Sequence, residues 1–163
     1  MDWRAWHEDY ADAGSALGRR LAVVQRQLRC RLDCAPPGRV SVISVCAGQG
    51  HDLIGVLVDH PRREEVTARL VEMDPENARL ARAAARDAGL DDVGVLTADA
   101  ALSDAYEGVV PADVVLLCGV FGNITSDDII QTVRYLPTLC APRASVIWTR
   151  HQRGHPGQLA AWE

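Results

Sequence analysis

A chain of 163 residues is long enough to bury one core and short for two. No apolar run reaches the ~18 residues of a membrane span. The charged, aromatic start MDWRAWHEDY lacks a signal peptide's apolar centre, so a cytoplasmic protein without a membrane partner is expected. The formal charge of −5 argues against a nucleic-acid groove, which needs clustered positive charge. All 17 basic residues are arginine, which excludes a P-loop lysine, a lysine Schiff base and a Tyr/Lys reductase pair.

The segment up to about Leu32 reads as helical. Trp3, Trp6, His7 and Tyr10 fall at i, i+3, i+4 and i+7, and Leu17, Leu21, Val24, Leu28 and Leu32 continue the apolar stripe. CAPPGR ends it with two prolines and a glycine. Residues 1–36 are therefore assigned to a leading helical segment, a lid or a flank, and 37–163 to the core. Cys30, Cys34, Cys46, Cys118 and Cys140 are odd in number and the chain is not a small secreted one, so they read as thiols. Cys30 and Cys34 have no partner ligands at metal-binding spacing, and no metal is expected.

A different rhythm follows. The pattern predicts a strand over 40–45, a helix over 51–59 and a strand over 68–73. DPENARLARAAARDAGL reads as a helix, with Asp74 as N-cap, Pro75 in the first turn and Gly89 at the end. Arg79, Arg82 and Arg86 read as its solvated face. Strands are predicted over 93–97, 112–118 and 144–149, with a helix over 129–136. Alternating strands and helices imply right-handed crossovers, and unbroken apolar strands imply burial on both faces. The expected fold is a Rossmann-like, doubly wound parallel α/β sheet of five strands.

Such sheets bind ligands at the carboxyl ends of their strands. The first strand ends in CAGQGHD, where glycines let backbone N–H groups approach a ligand. The second ends near Glu72 and Met73, about where a ribose-binding acid is expected. Asp99 and Ala100 follow the third strand, and Cys118 and Gly119 close the fourth. Four consecutive strands thus present glycine, acid, acid and glycine on one edge. A dinucleotide fold would place a third glycine where Leu53 stands, which disfavours NAD(P).

Over about residues 40–150 this set resembles the class I S-adenosylmethionine-dependent methyltransferases. More loosely, the whole chain looks like an uncharacterised actinobacterial group of them. SVCAGQG (44–50) lines up with the family's glycine corner, with Ser44 in place of its acid and Cys46 in place of its first glycine. The resemblance implies S-adenosyl-L-methionine as cofactor. It implies that Ser44, Cys46, Ala47, Gly48, Gln49 and Gly50 border its methionine part, with Asp52 as a substitute for the missing acid. It further implies Glu72 and Met73 at the ribose, Asp99 and Ala100 at the adenine, and Cys118 and Gly119 near the reactive methyl. Glu72 is expected to carry little of the fold's stability.

The implied activity is methyl transfer to an unidentified small-molecule acceptor. The alternative is a non-catalytic adenosyl-ligand-binding or interaction protein. No catalytic base is named by a compact motif. His7 and Tyr10 belong either to a lid or to a packed flank, and His51 either lines the corner or faces solvent. Arg150 and His151 read as a basic turn or a substrate contact. Phe121 and Asn123 stand where acceptors approach, although Asn123 equally suits a helix cap. Family members resemble five strands followed by a helix and an antiparallel hairpin. Here RHQRGHPGQLAAWE follows the fifth strand, so a short C-terminus, an exposed fifth-strand edge and self-association through it are expected.

Overall fold

The computed structural model describes residues 14–150. Expectations for Trp3, Trp6, His7, Tyr10, His151 and the last thirteen residues lie outside this range. Helix α1 (Ala16–Asp33) is started by Ser15, whose Oγ accepts from the Gly18 N–H at 2.8 Å. Within the described residues this helix begins at that capped boundary. Its buried positions Val24, Leu28 and Leu32 are four apart, and Leu28 and Leu32 lie in the sheet's core.

Five strands follow: β1 (Val40–Val45), β2 (Val66–Glu72), β3 (Val93–Thr97), β4 (Ala112–Cys118) and β5 (Cys140–Thr149). All pair in parallel, in the order β3-β2-β1-β4-β5. Alternate residues feed two cores. Val40, Val42, Val114 and Leu116 pack with α1 on one face, and Ile43, Val45, Val115 and Leu117 pack on the other.

The chain reaches β2 and β3 on one side of β1 and then crosses to β4 on the other. The switch point therefore lies between the carboxyl ends of β1 and β4.

Several boundaries differ from expectation. The helix predicted over 51–59 shrinks to α2 (Ile54–Leu57). At its start, the Asp52 carboxylate takes the Leu53 N–H at 2.8 Å, a local bond that competes with helix formation. At its end, Pro61 pushes the residue before it out of helical geometry. Strand β2 starts two residues earlier than predicted and stops before Met73, which is exposed.

Helix α3 (Pro75–Asp87) is capped by Asp74, which accepts from the N–H groups of Glu76 and Asn77. Its Arg82 is more than a solvated residue: it donates to the Val95 carbonyl and to Thr97 Oγ1, tying the helix to β3. Helix α4 (Ser126–Leu139) outgrows its predicted span because Thr125 and Asp128 form a reciprocal capping box. β5 starts four residues early, at Cys140, but its register against β4 slips there, with Arg143 at φ 68°. Its regular pairing covers Ser145–Thr149.

Candidate functional site

A cavity of about 550 Å³ opens at the carboxyl ends of β1, β2, β3 and β4, at the switch point. Its floor is the corner after β1. There the chain passes through Cys46 at φ 53°, Gly48 at φ 57° and Gly50 at φ 75°. This left-handed turn doubles back so that the Gly50 N–H reaches the Ala47 carbonyl at 2.9 Å. Glycine suits two of these positions; Cys46 holds the same region with a side chain.

The acid at the end of β2 closes onto this corner. One Glu72 oxygen accepts from the Gly48 N–H at 2.7 Å and the other from the Asp74 N–H at 2.8 Å. Beside it, Gln49 donates to the buried Asn77 Oδ1 at 3.2 Å, joining the corner to the first turn of α3. After β3, Asp99 accepts from the Ala101 N–H at 2.9 Å, which fixes its turn.

After β4, Gly119 at φ 82° turns the chain. Its N–H donates to Thr149 Oγ1 at 2.8 Å, and its carbonyl accepts from Asn123 Nδ2 at 2.6 Å. Asn123 therefore closes this loop, and Thr125 caps the helix that follows.

Cys46, Ala47, Gly48, Gln49, Asp52, Glu72, Met73, Asp99, Ala100, Cys118 and Gly119 all line the cavity. Ser44 and Gly50 stand apart from its lining. Ser44 is 1 % exposed within β1, opposite Leu70 and Leu116 in the neighbouring strands. Gly50 is a packing glycine: a Cβ there would lie 2.7 Å from Ile54 Cδ1 and 2.8 Å from Leu70 Cδ2. His51 and Asn123 are lining residues. Phe121 is buried away from the cavity, with its ring centroid 5.6 Å from that of Trp148.

Sequence reasoning missed Arg20, Leu21 and Val24 of α1, which form one wall. They sit on an amphipathic helix far along the chain from the strand ends, and no local pattern marks them. The same holds for Asn77, which resembles an ordinary first-turn helix residue. The helix carrying this wall is anchored to the corner. Gln25 donates to the His51 carbonyl at 2.8 Å, and Arg29 pairs with Asp59.

The electrostatics follow from burial. Burial holds the Asp52 carboxyl above its ordinary range, against the pull of the Leu53 N–H, of its own N–H and of the neighbouring Cys118 thiol. Burial and the Asp52 charge push the Cys118 thiol up strongly. Burial, then the charges of Glu72 and Asp99, push Cys46 up to about 11. Both thiols are protonated at neutral pH, so neither is an activated nucleophile. Buried Tyr106 braces the site from below, donating to the Ala100 carbonyl at 2.7 Å. Among the described residues no group of His, Cys, Asp and Glu is placed to hold a metal ion, and no helix is long and apolar enough to cross a membrane.

No protein-family model and no curated protein matches the chain. Solved structures do. A methyltransferase from Geobacter sulfurreducens, described as S-adenosylmethionine-dependent and solved with S-adenosyl-L-homocysteine, is 21% identical at a TM-score of 0.57, over 77% of this chain and 46% of its own. A counterpart from Thiobacillus denitrificans, solved with the same ligand, is 18% identical at 0.57, over 77% and 46%. An O-methyltransferase family protein from Burkholderia thailandensis is 20% identical at 0.65, over 91% and 42%. The chain thus spans less than half the length of these structures. Five parallel strands in the order β3-β2-β1-β4-β5, with flanking helices, give this chain the Rossmann-like fold of the class I S-adenosylmethionine-dependent methyltransferases.

Proposed function

We propose that this chain binds S-adenosyl-L-methionine in the strand-end cavity and transfers its methyl group to a small-molecule acceptor. The observation that carries the reading is the convergence of Gly48, Glu72, Asp99 and Cys118–Gly119 on one cavity at the switch point. The residues suit an adenosyl ligand. Glu72 keeps further lone pairs for ribose hydroxyls beyond its two backbone bonds. Asp99 and Ala100 border the neighbouring end, and the turn at Gly48 leaves backbone exposed to the ligand.

When bound, the cofactor supplies an electrophilic methyl on a sulfonium centre. The chain's own contribution is alignment and exclusion of water. Leu21 and Val24 of α1, with Val120 and Ile124 after β4, give the cavity apolar walls beside Cys118. The leading segment thereby acts as a wall of the site. An NAD(P) site fits less well. Leu53 is fully buried where that fold places a close-packing glycine, and α2 has only four residues.

A thermal-shift screen with S-adenosylmethionine, S-adenosylhomocysteine, NAD and NADP tests the reading. A ligand at 100 times its Kd stabilises the fold by about 2.7 kcal/mol. Stabilisation by the adenosyl pair, followed by methyl transfer to acceptors from a small-molecule panel, supports it. A shift with NAD and none with either adenosyl ligand overturns it.

A further inference from the structure

Leu28 and Leu32 are fully buried in the core, and they fix how α1 is turned about its axis. Cys30 and Cys34 each follow one of them by two residues, about 200° round the helix, so they fall on its outer face. Both are exposed free thiols. The Cys34 N–H donates to the Cys30 carbonyl at 3.1 Å, which sets the two residues one helical turn apart. Side chains at that spacing have Cβ atoms about 5–6 Å apart. The end of this turn is held from outside, because Arg62 donates to the carbonyls of Leu32, Ala35 and Pro36 on either side of Cys34. The spacing is therefore preset rather than assembled on binding. Neither thiol is among the residues lining the cavity.

A disulfide needs Cβ atoms about 3.5–4.5 Å apart, closer than a helical turn holds them. A structural zinc ion takes four ligands, and among the described residues no third ligand gathers with these two. Two thiols at this distance suit one larger, soft atom with two valences to fill. We propose that Cys30 and Cys34 form a two-thiol site for a trivalent arsenical carrying one organic group, R–As=O. Each sulfur forms one bond to arsenic. The As=O bond breaks, and both thiol protons leave on its oxygen as one water. Arsenic stays trivalent, so the step needs neither oxidant nor reductant, and the organic group keeps the third valence. Once the first sulfur is attached, the second lies one turn away on a fixed scaffold, so ring closure is intramolecular. The site is independent of the adenosyl reading.

The test treats the full, reduced chain with phenylarsine oxide in excess glutathione, which competes for arsenic held by a single thiol. Intact-mass spectrometry is expected to show one phenylarsenic group per chain with the loss of two hydrogens. Iodoacetamide labelling of the adduct is expected to miss Cys30 and Cys34, and 2,3-dimercaptopropanol to restore both. Cys30→Ser and Cys34→Ser are each expected to weaken the adduct by about a hundredfold or more, the scale on which a second linked bond adds to the first. Cys140→Ser is expected to leave it unchanged. An adduct that protects Cys46 and Cys118 instead, or that survives both helix substitutions, overturns the inference. So does the absence of any adduct in glutathione. The protection map is read on wild type, so the result stands even if a variant fails to fold.

Discussion

Glu72 Oε2 lies 2.7 Å from the backbone nitrogen of Gly48, so the acid that ends β2 holds the corner that ends β1. Its other oxygen takes the N–H of Asp74, the residue that caps α3. One carboxylate therefore fastens two strand ends and a helix start. Glu72→Gln leaves one acceptor oxygen and turns an NH₂ toward an N–H. Hydrogen bonds to charged groups contribute about 1.5–3 kcal/mol. The variant should lose about 1–3 kcal/mol of stability by urea denaturation, and adenosyl-ligand affinity should fall tenfold or more by calorimetry. This departs from the expectation that a strand-end acid carries little of the fold. An unchanged urea midpoint would show that the two backbone bonds contribute nothing net.

Gly50→Ala separates packing from ligand contact. The added methyl would meet Ile54 Cδ1 and Leu70 Cδ2 below 3 Å, on a backbone at φ 75°. Left-handed geometry alone costs a non-glycine residue about 1–2 kcal/mol, and core overpacking adds about 1–3 kcal/mol. The midpoint should fall by an amount in the sum of these ranges. The fraction that stays folded should keep its ligand affinity within about threefold, because Gly50 is not part of the cavity lining. A variant of wild-type stability that no longer binds would return Gly50 to the site.

Much of the architecture was legible because parallel strands buried on both faces read as unbroken apolar runs, as in 40–45 and 112–118. Helix α3 was legible because its stop and start signals are local: Asp74, Pro75 and Gly89. The acids and glycines at the strand ends were legible from their order along the chain. What escaped depends on contacts between distant segments. Arg20 reads as one more arginine on an amphipathic helix until α1 is laid against the strand ends. The shortness of α2 depends on the Asp52 side chain turning back onto its neighbour's N–H, a bond that no apolar periodicity reveals.

Arg62 illustrates the same gap and gives a contrasting variant. From the turn before β2 it donates to the carbonyls of Leu32, Ala35, Pro36 and Gly38, and it pairs with Glu65 at 2.7 Å. It thereby satisfies the end of α1 and the CAPPGR turn, which offer carbonyls but few local donors. Arg62→Ala should lower stability by about 2–4 kcal/mol, since several charge-assisted bonds near 1.5–3 kcal/mol each are lost and partly replaced by water. These residues are not among those lining the cavity, so affinity measured well below the new melting point should stay unchanged. A large loss of affinity in the folded variant would show that α1 transmits the change to the site.

The Cys46 thiol provides a reading by pH. Burial, Glu72 and Asp99 push it from an ordinary 9.0 up to about 11. At pH 7.5 its thiolate fraction is then on the order of 10⁻³·⁵, against roughly 3 % for a thiol at the ordinary 9.0. Cys46 keeps an exposed edge on the cavity although protein surrounds most of it, so the pH slope of its alkylation, not its rate at one pH, separates suppressed ionisation from steric shielding. Iodoacetamide followed by peptide mass spectrometry should label the exposed Cys30 and Cys34 well before Cys46 at pH 7.5. The Cys46 rate should climb about tenfold per pH unit until it levels near 11. The stability sign follows from the raised value: the folded state holds this proton more tightly than the unfolded chain. Its contribution is complete below about 9 and is lost as pH rises through about 11. Glu72→Gln removes one of the two charges that oppose ionisation, so Cys46 should label faster in that variant at every pH below the plateau. Equal labelling of Cys46 and Cys34 in wild type at pH 7.5 would remove the acidic surroundings assigned to the corner.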